Sequence, residues 1–200
     1  MEDTKQYAVK CFQDEGKAIL DLIPLLTEDF SRAVEIMKNC KGKVICTGVG
    51  KSGHIGQKVA ATLASTGTPA FFVNPLDAYH GDLGMFSEGD VVLMISNSGE
   101  TEELTRIAPL LQARNLSIIV ITGNCEGEIA KHADCLLNVS VKHEACPLNL
   151  SPTSSTTAML AMGDALTCAL MHVKHFTIED YAKFHPGGEL GKRLKNLRGE

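Results

Sequence analysis

The sequence predicts an α/β protein, a three-layer α/β/α sandwich built around a five-stranded parallel sheet. Three observations carry that expectation. The short apolar runs KVICTG, PAFFV, VVLMIS, SIIVIT and CLLNVSV are rich in β-branched residues and lack polar alternation, as strands do when both faces of their sheet are covered. Helical stretches fill the gaps at about residues 52–66, 100–114 and 126–132, which allows right-handed crossovers between parallel strands. A chain of 200 residues, 44% hydrophobic and 22% charged, suits one domain with a sizeable core. The expected division is a sheet core at about 43–175, N-terminal helices within 4–40 and an ordered functional tail at 176–196.

Taken in order, residues 4–25 set Tyr7, Ala8, Cys11, Phe12, Ala18, Ile19, Leu22 and Ile23 at helical spacing on one broad face, an amphipathic helix. After Pro24, a capping region at 27–29 opens a second helix carried by Phe30, Ala33, Val34, Ile36 and Met37, and residues 39–42 end it. Both would cover a sheet or a partner copy. From Lys43 the strand, turn and helix units follow one another. Residues 153–173 are small and apolar nearly all round, which reads as a helix buried among neighbours, interrupted by Gly163 and Asp164 too soon for a membrane span. The last segment, YAKFHPGGELGKRLKN, sets a glycine-rich turn after His185 and Pro186 before a basic end.

A net charge of −5 argues against a nucleic-acid surface and leaves small molecules, or copies of the chain itself, as partners. The seven cysteines are odd in number, and no two stand at a CxxC or zinc-ribbon spacing, so disulfide stapling is not expected. The start MEDTKQY is acidic and polar, unlike a secretory signal, and no stretch reaches the roughly 18 apolar residues a bilayer span needs. The expected location is a reducing cytoplasm, away from membranes.

The stretch VVLMISNSGETEEL carries the first functional signal. A strand breaks into a tight loop and then into Glu100, Thr101, Glu102, Glu103 and Leu104, which read as the first turn of a helix. Free backbone N–H groups and the helix dipole suit an anion there, with Ser96, Asn97, Ser98 and Thr101 as donors. A capping box formed by Asn97 and Glu100 fits the same residues. Gly48, Gly50 and Gly53 spell GxGxxG after the first strand, a dinucleotide fingerprint, but the second strand ends at Asn74, with no acid where the ribose would need one. A nucleotide P-loop is excluded because its first glycine would fall on Ile45. A third reading makes GVGKSG a sugar-phosphate loop: glycine lets the backbone approach the ligand, Ser52 donates and Lys51 points a charge at a reacting oxygen. Two such loops at strand ends converge where open α/β sheets bind ligands.

Taken together, GVGKSGHIG, STGTP, HGDLGM, SNSGETEE, EACPLNLSPTSSTT, MGDAL and HPGGELGKRL resemble the sugar isomerase (SIS) domain of the arabinose 5-phosphate isomerases, over about residues 5–196. The resemblance implies a five-stranded α/β/α domain, a homotetramer, and interconversion of D-ribulose 5-phosphate and D-arabinose 5-phosphate, the first step towards Kdo for lipopolysaccharide or capsule. It implies catalytic positions at Lys51, His80, Glu103, Glu144 and His185, and substrate contacts at Gly50, Ser52, Gly67, Thr68, Ser96, Asn97, Ser98 and Thr101. Many relatives carry a metal-associated His where this chain has Asn74, so no metal site is expected. Many also continue into CBS regulatory modules; this chain stops after GKRLKNLRGE, so feedback is expected at the sugar-phosphate crevice, from a Kdo-type metabolite.

The residue types fit the chemistry. Moving a carbonyl between C2 and C1 requires a base to shuttle a proton, a group to stabilise the cis-enediolate and an acid/base for the two oxygens, with no metal or redox cofactor. Glu103 or Glu144 could be the base, His185 or His80 could serve the hydroxyls and ring opening, and Lys51 could balance the developing charge. Two other functions compete: a non-catalytic SIS module that senses a sugar phosphate, and an NAD-dependent oxidoreductase resting on GxGxxG.

Overall fold

In the computed structural model, which describes residues 3–198, five strands alternate with helices. They are β1 (Val44–Gly48), β2 (Ala70–Phe72), β3 (Val91–Ser96), β4 (Ser117–Thr122) and β5 (Cys135–Asn138), every pairing is parallel, and the order is β2-β1-β3-β4-β5. The helices are α1 (Thr4–Leu20), α2 (Glu28–Lys38), α3 (Gly50–Ser65), α4 (Pro75–Tyr79), α5 (Glu102–Gln112), α6 (Ser154–Val173), α7 (Ile178–Phe184) and α8 (Gly188–Arg198).

Alternate strand residues feed two cores. Val44, Cys46, Leu93, Ile95, Ile119 and Ile121 pack with α2, α3 and α6 on one face, while Ile45, Val92, Met94, Ile118 and Val120 pack with α5 and Ala78 of α4 on the other. Burial on both faces is why these runs show no polar alternation, and the three-layer sandwich is the fold the sequence predicts. By length and composition α6 could cross a membrane, but here it packs against α1, α2 and α3.

Several boundaries differ from expectation, each for a local reason. The first helix stops at Leu20 rather than running to 25, because Pro24 has no amide to continue the ladder, and Ile23–Leu25 forms a 3-10 turn. Much of its apolar face stays open: Tyr7, Phe12, Ile19 and Ile23 are exposed, while Ala18 and Leu22 are buried. The fifth strand ends at Asn138 rather than 141, because β4 ends at Thr122 and the Asn138 side chain accepts the Ser140 amide and turns the chain. The segment expected as a helix at 126–132 is a 3-10 helix at Glu128–His132. Three helices were not anticipated: α4, capped by Asn74 with Pro75 behind it; α7, opened by a Thr177–Asp180 capping box; and α8.

Candidate active site

The strand order reverses between β1 and β3, since β1 leads into α3 on one face and β3 into α5 on the other. A crevice therefore opens outside the C-terminal ends of these two strands. Both helices that rise from it lack a side-chain cap, so their first N–H groups are free for a ligand.

On the β1 side, Gly50 takes φ +57, a left-handed conformation that suits glycine. Gly48 has no room for a side chain, since a Cβ would lie 2.9 Å from the Ile95 carbonyl. Lys51 is exposed, and no hydrogen bond or ion pair engages it among the described residues. Ser52 is half-buried and directs its hydroxyl at the Met159 sulfur, 3.7 Å away.

On the β3 side the loop is braced from within. Ser96, 1% exposed, pairs its hydroxyl with that of Thr101 at 2.7 Å and accepts the Gly99 amide at 3.2 Å. Ser96 therefore shapes the cradle from below, and Thr101, the N-cap residue of α5, turns its hydroxyl to Ser96 rather than to the helix amides. The capping box expected between Asn97 and Glu100 is absent: α5 begins at Glu102, and the Glu100 carboxylate accepts the Glu128 amide at 3.0 Å. Gly99, at φ +69, lies against Gly127 so closely that a Cβ would sit 3.1 Å from its Cα. Asn124 donates its side-chain amide to the Ser98 carbonyl at 2.9 Å, and Gly123 donates its N–H to the Asn97 carbonyl at 3.1 Å. Asn97 and Ser98 stay exposed at the lip. Glu103, half-buried in the first turn of α5, has no hydrogen-bond partner among the described residues.

Glu144 behaves differently. It lies in the loop after β5 and caps α6 from outside, accepting the Thr153 amide at 2.7 Å, the Ser155 amide at 3.1 Å and the hydroxyls of both residues. Burial alone would raise this carboxyl, but the bonds from Ser155 and Thr153 outweigh it and hold Glu144 below the ordinary carboxylate range. Beside it opens a cavity of about 670 Å³, walled by α1 and residues 143–153. Cys146, on that wall, accepts the Leu150 and Ser151 amides at 3.1 Å each, and these bonds hold its thiol below the ordinary range. His80 ends α4 at the same edge of the sheet, exposed and edge-on to the Tyr79 ring.

Three expected site residues do not join this group. Gly67 and Thr68 connect α3 to β2 and so lie at the N-terminal edge of the sheet. Thr68 is 2% exposed, and its hydroxyl takes a 2.8 Å hydrogen bond from the Lys174 ammonium, which burial pushes below its ordinary value. Gly67, at φ +86, seats the Phe176 ring where a side chain would be. Phe176 meets the Tyr181 ring edge-on, and Tyr181 stacks on His185, which links His185 to the same edge. A turn that leaves a helix for the next parallel strand always lies opposite the strand ends, so this placement was readable from connectivity.

Asn74 directs its side-chain carbonyl at the Leu76 amide, 3.0 Å away. A metal ligand set at that position does not fit. Among the described residues no group of three or more His, Cys, Asp and Glu is placed to hold a metal ion.

Fold and crevice together define a parallel α/β domain with two uncapped helix N-termini at its switch point. The chain belongs to the SIS domain family, whose profile matches residues 36–169. It is 52% identical, over 180 residues, to a protein of Pseudomonas aeruginosa named arabinose 5-phosphate isomerase KdsD, covering 90% of this chain and 55% of that protein. It is 53% identical over 191 residues to KdsD of Escherichia coli K12, covering 92% of this chain and 58% of that protein. The chain thus spans little more than half the length of these relatives. The solved structure of E. coli CFT073 c3406 in complex with arabinose 5-phosphate matches with a TM-score of 0.87 at 40% identity, covering 93% of this chain and all of that one.

Proposed function

We propose that the chain is the catalytic domain of an aldose–ketose isomerase that interconverts D-ribulose 5-phosphate and D-arabinose 5-phosphate. One observation carries this reading: a switch-point crevice with two uncapped helix N-termini, beside which Lys51 and Glu103 stand without partners among the described residues. The similarity to KdsD proteins, and to a structure holding arabinose 5-phosphate, supports the choice of sugar.

The α5 N-terminus, Ser98 and Thr101 receive the phosphate, and α3 with Gly50 and Ser52 receives the sugar. Of the two carboxylates, Glu103 is the better base, because Glu144 accepts four hydrogen bonds, three of them on Oε2, that stabilise its ionised form and weaken it as a base. Glu103 takes the proton from C1 of the ketose. The C–H pair becomes the C1=C2 bond and O2 takes the negative charge facing Lys51. O2 then gains a proton while O1 gives one up, the O1–H pair becomes the C1=O bond, and the C1=C2 pair takes the proton back from Glu103 at C2, leaving the aldehyde at C1. His80 and His185 serve the oxygen protons.

The same proposal extends to a homotetramer in which His185 of one copy completes the crevice of another, with Gly67 and Thr68 supporting the segment that carries it. The open apolar face of α1 and the split of the expected residues between two edges support it. It also places the chain, as one domain, in a reducing cytoplasm, where it supplies Kdo biosynthesis for lipopolysaccharide or capsule under competition from a Kdo-type acid. EDTA-treated protein is expected to turn over ribulose 5-phosphate. Turnover that returns only with a divalent ion would refute the metal-free route, and binding without turnover would identify a sensor.

A further inference from the structure

The segment FTIEDYAKFHPGG places one histidine at the end of a short helix, where the last carbonyls lose their amide partners. The His185 backbone N–H turns to the Ala182 carbonyl at 3.3 Å, and the His185 ring takes up the Tyr181 carbonyl instead, with Nδ1 at 3.0 Å. A carbonyl oxygen only accepts, so Nδ1 must carry the proton. In the neutral ring Nε2 then holds the lone pair.

The orientation of the ring is set by aromatic packing. Tyr181 and His185 stack at 4.1 Å with planes 13° apart, Tyr181 meets Phe176 edge-on at 6.2 Å, and Phe176 stacks with Phe184 at 6.3 Å. The ladder stands on Gly67: two Phe176 ring carbons lie 2.6 and 2.7 Å from where a Cβ would be, so a larger residue there would displace it.

We propose that Tyr181 is a positioning residue that holds His185 as the Nδ1–H tautomer, with Nε2 as the basic nitrogen directed away from the helix end. Resting on the isomerase reading, this assigns His185 the oxygen protons: Nε2 accepts a hydroxyl proton and returns it, while Nδ1–H stays on the Tyr181 carbonyl and neither tautomer switching nor ring rotation is needed.

The test has a spectroscopic arm and a kinetic arm, both on the full chain. In protein labelled with ¹⁵N-histidine, above the ordinary histidine titration range, the His185 ring should show a protonated Nδ1 and an unprotonated Nε2, assigned by loss of the signals in His185→Gln. In Tyr181→Ala both tautomers should appear, and Tyr181→Phe should restore the wild-type pattern. With ribulose 5-phosphate, Tyr181→Ala should lower kcat about tenfold to a hundredfold at nearly constant KM, and Tyr181→Phe should recover most of it. A wild-type ring protonated at Nε2, or an even mixture, overturns the proposal without recourse to any variant. So does an alanine variant that keeps both the pattern and kcat. If the wild-type protein turns over no sugar phosphate, the isomerase reading falls while the spectroscopic arm still decides the tautomer.

Discussion

The two edges of this sheet are built from the same residue types to opposite ends. At the C-terminal edge the charged side chains Lys51 and Glu103 have no partner among the described residues, two helices start without side-chain caps, and the internal hydrogen bonds of the loop go to bracing it. At the N-terminal edge every polar group expected at the site is engaged: Thr68 with Lys174, and His185 with the Tyr181 carbonyl. One edge is left unsatisfied so that a ligand can satisfy it. The other is closed on itself, and on the proposed reading its His185 Nε2 acts on a crevice brought to it.

The largest effect should come from removing the open edge's base. Glu103→Gln is expected to lower kcat by roughly a hundredfold to ten-thousandfold, the range for loss of a general base, with little change in melting temperature because no hydrogen bond is broken. Equal loss in Glu144→Gln, with stability also unchanged, would reverse the assignment of the two carboxylates. The relation between the edges is tested by mixing. If His185 serves the crevice of another copy, unfolding and refolding Glu103→Gln together with His185→Ala regenerates intact sites. In a randomly paired mixture about a quarter of wild-type activity is expected. No recovery would put both residues of each site in one chain.

Much of this was legible in the sequence, and the rest failed for identifiable reasons. The runs VVLMIS and SIIVIT announce buried strands because five and four apolar residues in unbroken succession leave no polar face to turn to water. The GVGKSG and SNSGET loops announce a crevice because glycine and hydroxyl residues at strand ends have few other uses. Resemblance to a family, by contrast, names Gly67, Thr68 and His185 as members of one site without saying which copy owns it. It also cannot separate Glu103 from Glu144, since hydrogen bonds from Thr153 and Ser155 are a property of the fold. The short helices α4 and α7 carried their own signals, Asn-Pro and Thr-x-x-Asp, that periodicity over so few residues could not reinforce.

Gly67 sharpens the contrast at the closed edge. Gly67→Ala meets both a left-handed backbone and the Phe176 ring, so it is expected to destabilise by roughly 2 to 4 kcal/mol in urea unfolding. Were Gly67 left glycine only to admit a ligand, KM would rise and stability would hold.

The smallest effect separates structural from chemical carboxylates by pH. Glu144 titrates below its ordinary range in the folded chain because Thr153 and Ser155 donate to its ionised form, against the opposing pull of burial. A depressed folded value means that stability is present in full above the unfolded pKa, about 4.3, and is lost as pH falls through the lower folded one. Replacement by glutamine removes the charge and turns an amide N–H towards donors, so Glu144→Gln should be less stable than wild type at pH 7 by about 1 kcal/mol after allowance for solvent screening. That gap should shrink as the pH drops below about 4, where the wild-type side chain also becomes neutral. A Glu144 gap constant from pH 7 to pH 3 would mean that its ionised form is not what holds the start of α6, and would return Glu144 to contention as the base.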